Sequence, residues 1–518
     1  MMIMMMELKW FIRIAVMSVL LVLEGTTTYA CLEHEKIALL QLKPFFNGFD
    51  YLNNWDEVKI PNCCQWKGID CYTTTGRLKG LDLSYTMYRN KGWYLNASMF
   101  LPFVELKSLN LRHNAIAGCI QNEGFKKLST ALNNLEILDL SGNQLNDSSM
   151  LSLRLSNLTN LKYLDLSGNQ IESLQSFNDA GTKLKQFAHL EELYLGGNLF
   201  NNSAFASLKV FSNLKKLSMS ENLLKGSLDM KDLDIFTNLR ELHMSGNQFK
   251  DIVIHKDEAQ LRLPKLQKLD LSFNHFRDNT FSFLEGLSNL ESLAMIDNKL
   301  QGSIDIKGLS NLTKLKYLHL SGNQIESLQS FNDAGTKLKQ FAHLEELRLD
   351  GNLFNNSAVA SLKVFSNLRY LSISHNLLKG SLDMKDLDIF TNLRELHMSG
   401  NQFKDIVIHK EIKGLKNLKV VYLDAAFTDG SISLLNLVEA FSTVKTLSLV
   451  GNHLNKAMST RGLNLSTNVE EILLDRSTLN TNILQSIGVI TSLKTLSLSD
   501  CGLIGPLPNQ GWCDLKKA

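Results

Sequence analysis

One stretch of this chain is written over and over. At 161–171 it reads LKYLDLSGNQI, which reduces to LxxLxLxxN with Leu161, Leu164, Leu166 and Asn169 at the fixed positions. The L-x-L core has the two-residue period of a strand with one buried face. The Asn closes it. Its side chain, both donor and acceptor, suits backbone groups left unpaired where the chain turns off the strand. That position or its equivalent recurs at Thr86, Asn114, Asn143, Asn169, Asn198, Asn222, Asn247, Asn274, Asn298, Asn323, Asn352, Asn376, Asn401, Ala426, Asn452, Ser477 and Cys501, which makes 17 units spaced 24 to 29 residues apart. One unit cannot bury its own leucines, so neighbours must stack on it.

The spacing is that of leucine-rich repeats. The expected fold is therefore an α/β leucine-rich-repeat solenoid, a horseshoe or superhelix. It has a parallel concave β-sheet and an irregular, 3-10 or short helical convex side. Such a stack grows in one dimension, so 518 residues need not split into several globular domains. The formal net charge is only +2, and no block of basic or acidic residues stands out. Nucleic acid is accordingly a poor candidate partner.

At the N-terminus, Lys9 and Arg13 precede the apolar run IAVMSVLLVL at 14–23, and Thr28-Tyr29-Ala30 stands before Cys31. This reads as a secretory signal peptide, residues 1–30, cleaved after Ala30. Ten apolar residues are too few to span a bilayer, and no later segment is apolar enough to do so. Seven sequons, at Asn96, Asn146, Asn157, Asn201, Asn311, Asn355 and Asn464, fit an exported glycoprotein. The expected location is extracellular: the plasma membrane if a longer form carries an anchor, otherwise secreted.

Residues 31–77 read as a cap and 78–518 as the repeats. The cap opens with Cys31 and EHEKIALLQLK, a helical segment ended by Pro44, and closes with CCQWKGIDC at 63–71. Four cysteines in an exported chain point to disulfides rather than metal. Adjacent cysteines rarely pair with each other, which favours Cys31–Cys63 and Cys64–Cys71 among the three pairings. Cys501 and Cys513 are candidates for a local link, and Cys119 is the odd one out. The succession of signal peptide, Cys, E-K-x-A-L-L-x-x-K, W and CCxWxGIxC resembles the plant-type N-terminal cap of leucine-rich-repeat receptors. After the Asn, several repeats add L-x-G-x-[IL], as at 224–228, 300–304 and 503–507. From Cys31 onward the chain is similar to the plant receptor-like proteins. That resemblance implies a second short strand in each coil. The strand is expected to be missing after Asn169, Asn198 and Asn323, where the continuation is absent. In the final coils Ala426 and Ser477 replace the Asn, and the chain stops at GWCDLKKA without a C-terminal cap, which reads as a truncated product or partial gene model.

Residues 161–256 recur at 315–410 with eight differences in 96 positions: Asp165/His319, Tyr194/Arg348, Gly196/Asp350, Phe205/Val359, Lys215/Arg369, Lys216/Tyr370, Met219/Ile373 and Glu221/His375. Six of the eight fall on x positions of LxxLxLxx, although those make up only 20 of the 96. On a strand the leucines point into the core and the x residues point out. The candidate ligand-binding face is therefore Asp165, Tyr194, Gly196, Lys216 and Glu221 with His319, Arg348, Asp350, Tyr370 and His375. Buried change is expected to be confined to Met219/Ile373. Surface tolerance alone would also have scattered changes over the exposed convex loops, where almost none occur.

No P-loop, GxSxG, HExxH or kinase signature is present, and no cofactor or metal is called for. The carboxylate pairs Glu191-Glu192 and Glu345-Glu346 sit on successive strand residues, which alternate in direction. The function expected is recognition of a peptide, glycan or protein ligand. The resemblance implies perception of a pathogen-derived or developmental signal through a membrane receptor-kinase co-receptor. The alternatives are a secreted inhibitor of a microbial wall-degrading enzyme, as in the polygalacturonase-inhibiting proteins, and a truncated, non-signalling remnant or decoy.

Overall fold

The computed structural model describes residues 31–503 apart from 47, 88–90, 121–131, 154, 156–157, 175–186, 255–262, 278–280, 285, 310–311, 330–340, 342, 410–413, 457–465, 480–482 and 484–486. The signal segment, Asn157, Asn311, Asn464 and Cys513 lie outside the described residues. The chain forms two compact units, one ending at Leu214 and one beginning at Lys215.

Each unit is a leucine-rich-repeat stack. In the first, Ile69–Cys71 pairs antiparallel with Leu78–Asp82, and parallel partners follow at Ser108–Asn110, Ile137–Asp139, Tyr163–Asp165 and Glu192–Tyr194. In the second, twelve parallel strands run from Lys216–Ser218 to Thr495–Ser497 among the described residues. Apart from the five-residue Leu78–Asp82, these parallel strands are three residues long, and all but Thr495–Ser497 bury the middle aliphatic residue, as at Leu193, Leu347 and Leu396. The expected leucine-in, x-out alternation is thus the observed one. No described helix is long and apolar enough to cross a membrane.

The Asn does more than satisfy its own turn. Asn323 Nδ2 donates to Leu320 O (3.0 Å) and Ser321 O (3.2 Å) in its own coil, and to Met295 O (3.0 Å) in the coil before. Its Oδ1 accepts from Leu300 N–H (3.1 Å), also in the preceding coil. The same pattern holds at Asn143, Asn169, Asn198 and Asn352. Each of these Asn residues is therefore a cross-link between successive coils, buried where water cannot replace it.

The residue just before the Asn is left-handed in all 17 coils, with φ between +48° and +70°. Eight of these residues are Gly, which explains the frequent S-G-N. The other nine, including Glu221 (φ 55°) and His375 (φ 53°), hold a conformation that costs an L-residue about 1–2 kcal/mol.

One expectation about the second strand is corrected. After Asn198 no strand forms, and after Asn169 there is only an isolated bridge from Asn146 to Gln170 among the described residues. After Asn323, however, Gln324–Gln329 is a full strand paired with Gln301–Asp305. In three of these pairs Gly belongs to the leading strand: the register shifts directly after Gly226, Gly302 and Gly380. The trailing strand needs only aliphatic positions facing in, here the buried Ile325 and Leu328. Sequence QIESLQ also follows Asn169, but its neighbour there is the helix Asp147–Leu153 and not a strand. The partner decides the outcome.

The cap carries both expected disulfides, Cys31–Cys63 and Cys64–Cys71. Gly68 sits at φ +78°, where a Cβ would lie 2.2 Å from Asp82 O, so the G of CCxWxGIxC lets the cap's edge strand approach the first repeat. Glu35 of the helix Glu33–Phe46 is fully buried and accepts from Leu78 N–H (3.0 Å) at the start of that repeat strand. Cys119 is a buried free thiol. The expected Cys501–Cys513 link is not formed at its described end: Cys501 is free, and its Sγ donates to Leu474 O (3.0 Å) from the Asn slot.

Replacing Asn323 by Ala strands a buried N–H and carbonyls of two coils, and is expected to lower stability by about 3 kcal/mol. His375→Gly removes left-handed strain at some cost in chain entropy, for a net gain of about 0.5 kcal/mol. Urea unfolding checks both. Equal midpoints for native and Asn323→Ala protein would refute the cross-link account.

Candidate functional site

The second copy lies wholly in the second unit, and x residues of its four strands, with Tyr422 of the next, form a connected stripe across five successive strands. On Tyr317–His319 and Glu346–Arg348, His319 Nε2 lies 2.9 Å from Glu346 Oε1, and Arg348 Nε donates to the same oxygen at 2.6 Å. The Arg348 guanidinium stands 4.8 Å from the centroid of the Tyr370 ring. Tyr370 in turn meets His397 (ring centroids 4.9 Å), and His397 stacks on Tyr422 at 4.4 Å. His397 Nε2 is also 2.7 Å from Glu395 Oε1. Neighbouring strands stand about 4.8 Å apart, so the stripe runs for about 20 Å. Its side chains are held by one another before any ligand arrives.

In the first unit the equivalent positions differ. Tyr163 and Tyr194 lie ring to ring at 5.2 Å, and the Tyr194 hydroxyl donates to Glu192 Oε2 (2.8 Å). Asp165 sits beneath them at 9% exposure. In the second unit Lys216 Nζ is 3.2 Å from Glu241 Oε2. In the second copy Tyr163 is kept as Tyr317, while Tyr194, Lys216 and Asp165 give way to Arg348, Tyr370 and His319.

Not every predicted residue is available for recognition. Asp165 is buried and accepts from Ser167 N–H (2.8 Å), closing the turn at the strand end. Asp82, Asp139 and Asp270 do the same. Asp350 is a clasp: it accepts from Ser374 N–H (3.0 Å), from Ser321 Oγ (3.2 Å) and from the Ser372 hydroxyl of the next coil. Asp424 and Asp475 repeat the arrangement with Ser448 and Ser497. Gly196 has no such group to offer. Glu221 and His375 are exposed, but they occupy the left-handed turn beyond the strand. Tyr194, Lys216, His319, Arg348 and Tyr370 remain half-exposed on the outward face.

Buried change is also wider than the sequence indicated. Met219 and Ile373 are fully buried as expected, but Phe205 and Val359 are buried too, in short convex-side helices that the strand template does not cover. Comparing the copies missed Glu346 and His397 because both copies share them, and Tyr422 because it lies beyond the duplication. The paired carboxylates do not converge. Glu346 joins His319 and Arg348, while Glu345 at the strand's leading edge joins Arg369 Nη1 (2.9 Å).

The sequons Asn146, Asn201 and Asn355 are exposed, and half-buried Asn96 caps a 3-10 turn by accepting from Ser98 N–H.

Comparison with known proteins agrees with this architecture. Residues 32–72 match the leucine-rich-repeat N-terminal domain, and 133–180, 237–252, 263–325, 391–406 and 492–512 match leucine-rich-repeat models. The chain is 29% identical over 242 residues to Cuscuta receptor 1 of Solanum lycopersicum, covering 39% of this chain and 21% of that protein. It is 34% identical over 224 residues to Receptor like protein 21 of Arabidopsis thaliana, covering 40% and 21%. The alignments thus span about a fifth of those relatives. Among solved structures, a Leptospira interrogans LRR protein superposes with TM-score 0.57 at 24% identity, covering 79% of this chain and 100% of that one.

Burial holds the Asp165 carboxyl above its ordinary 3.8, against the pull of the Ser167 N–H. Its charge therefore costs stability at pH 7, and the cost fades as pH falls toward 3.8. At the same position burial holds the His319 imidazole below 6.5, with Glu346 opposing. The folded state disfavours its protonation, so that cost appears as pH drops through 6.5. Asp165→Asn is expected to stabilise at pH 7 with a gain that shrinks toward pH 4, whereas His319→Gln should help more at pH 5 than at pH 7.5. Urea midpoints across pH decide, and pH-independent differences would contradict both assignments.

Proposed function

The chain belongs to the leucine-rich-repeat proteins, with the N-terminal cap and repeats of plant receptor-like proteins, and from that premise we propose that it recognises an extended peptide outside the cell. One observation carries the reading. The duplicated coils, alike almost everywhere else, exchange Tyr194, Lys216 and Asp165 for Arg348, Tyr370 and His319 on the outward face, and the new side chains form one contiguous stripe with Glu346, His397 and Tyr422.

Such a stripe offers what an extended peptide needs. Aromatic faces take its apolar side chains with little loss of freedom, and Arg348 supplies a planar cation for a carboxylate. Pre-paired side chains lower the ordering cost of binding. The work is binding rather than catalysis. Signalling through a membrane receptor kinase, in response to a pathogen-derived or developmental cue, is the role that follows for a protein of this family, and the disulfides of the cap agree with an extracellular setting.

The test is selection of a displayed random-peptide library on the secreted chain, followed by titration of the enriched peptides. Restoring the first-copy residues together (His319→Asp, Arg348→Tyr, Tyr370→Lys) is expected to weaken those peptides at least tenfold. The melting temperature should move by only about 2–4 °C, because surface changes cost little. Peptides that bind the triple variant as well as the native chain would place recognition elsewhere.

A further inference from the structure

We propose a second site, independent of the outward-face reading: the leading edge of the sheet in the second unit cradles a linear polyuronate, an acidic polysaccharide with one carboxylate per sugar. The residue just before each strand stands in a row along this edge. In successive coils these are Arg369, Arg394, Lys419, Lys445, Glu470 and Lys494. The backbone fixes the row: Arg394 N–H donates to Arg369 O, Lys419 N–H to Arg394 O, Lys445 N–H to Lys419 O, Glu470 N–H to Lys445 O and Lys494 N–H to Glu470 O, all at 2.7–2.8 Å.

At equivalent positions elsewhere most cations are paired, Arg240 being an exception among the described residues. Glu136 takes Lys107 and Lys162 at 2.7 Å each, Glu291 takes Lys316 at 3.0 Å, and Glu345 takes Arg369 at 2.9 Å. Beyond Arg369 the balance fails. Arg394, Lys416 and Lys419 have no ion pair among the described residues, and Glu470 alone serves both Lys445 (3.2 Å) and Lys494 (3.0 Å). Four of these lysines, 416, 419, 445 and 494, line a cavity of about 670 Å³ with Glu470 as its one carboxylate. An excess of three positive charges beside a cavity of ligand size draws anions.

The spacing narrows the class. Cations on adjacent coils follow the strand repeat of about 4.8 Å, close to the advance per sugar of a 1,4-linked polyuronate. Glu470 already displays the contact, one carboxylate bridging lysines of the coils on either side. The ligand's carboxylates would bridge Arg394, Lys419 and Lys445 in the same way. No aromatic ring lines the cavity, so bases of a nucleic acid would find nothing to stack on.

The experiment is calorimetric titration of the secreted chain with a 1,4-linked decagalacturonate, its methyl ester, and single-stranded DNA of equal charge. The free acid should bind, and the ester and DNA at least tenfold more weakly. Binding should weaken as salt screens the row. Lys419→Gln with Lys445→Gln should lose at least tenfold. Glu470→Gln, which removes the competing carboxylate, should bind about threefold more tightly, a gain that damaged folding cannot produce. Lys107→Gln, in the neutralised part of the row, should change nothing. No binding by the native chain, equal binding of ester or DNA, or a Glu470→Gln variant that fails to tighten would each overturn the proposal. None of these outcomes bears on the peptide selection, which reads the opposite set of side chains.

Discussion

Everything in this structure hangs on a side-chain amide that reaches from one coil into the coil before it. Backbone pairing between three-residue strands gives each coil few bonds to its neighbour, and leucine packing has no direction of its own. Asn supplies what both lack: two donors and an acceptor in fixed geometry, set against carbonyls and an N–H that lie in different coils. The exceptions measure the role. Thr86 and Ser477 keep one donor, each bonding a Leu carbonyl (Leu83 O and Leu449 O), and Cys501 makes the weaker sulfur contact. Ala426 keeps none, yet its own N–H is still held by Asn452 Oδ1 from the next coil (2.9 Å). A gap in the ladder is bridged from one side. That tolerance is available only to a linear array, in which each coil answers to its nearest neighbours.

A ladder so fixed in register explains why the outward residues form rows at all. His319, Arg348, Tyr370, His397 and Tyr422 are neighbours because their strands are in register, and nothing in their own chemistry brings them together. The edge row follows from the same constraint one residue earlier in each coil, so one backbone presents two parallel rulers with different chemistry. On the outer side of the coil, by contrast, the identical QIESL belongs to a strand beside a strand but, past the single bridge at Gln170, is irregular beside a helix. There the sequence proposes and the adjacent coil decides.

This division marks what could be read in the sequence. The inward leucines, the cap and its disulfides, and the outward rows were legible because each follows from a period or from chemistry local to one coil. What escaped depends on two coils at once. Asp350 counted as a free surface acid, but its oxygens bind Ser321, Ser372 and Ser374. Asp165 occupies an outward position yet is covered by tyrosines that belong to two strands. Glu346 and His397 showed no difference between the copies, and only their distances to His319, Arg348 and Tyr370 bring them into the site. The left-handed residue before every Asn was hinted at by the recurring Gly, but nine coils hide it behind other side chains.

The duplication also shows why divergence gathers where it does. Changing a buried Leu or ladder Asn costs about 2–5 kcal/mol, a large share of a folded protein's margin, whereas an outward residue usually shifts stability by less than about 0.5 kcal/mol. Four copied coils therefore arrive already stable and can change only along the outward and edge rows without losing the fold. Met219 to Ile373 and Phe205 to Val359 are the two departures in the apolar core, and both remain among apolar residues. Five of the six outward ones change the chemistry: acid to imidazole, ring to cation, cation to ring or glycine to acid. Copying coils thus enlarges a recognition surface at little risk, because the bonds that hold the stack and the side chains that face outward belong to different residues.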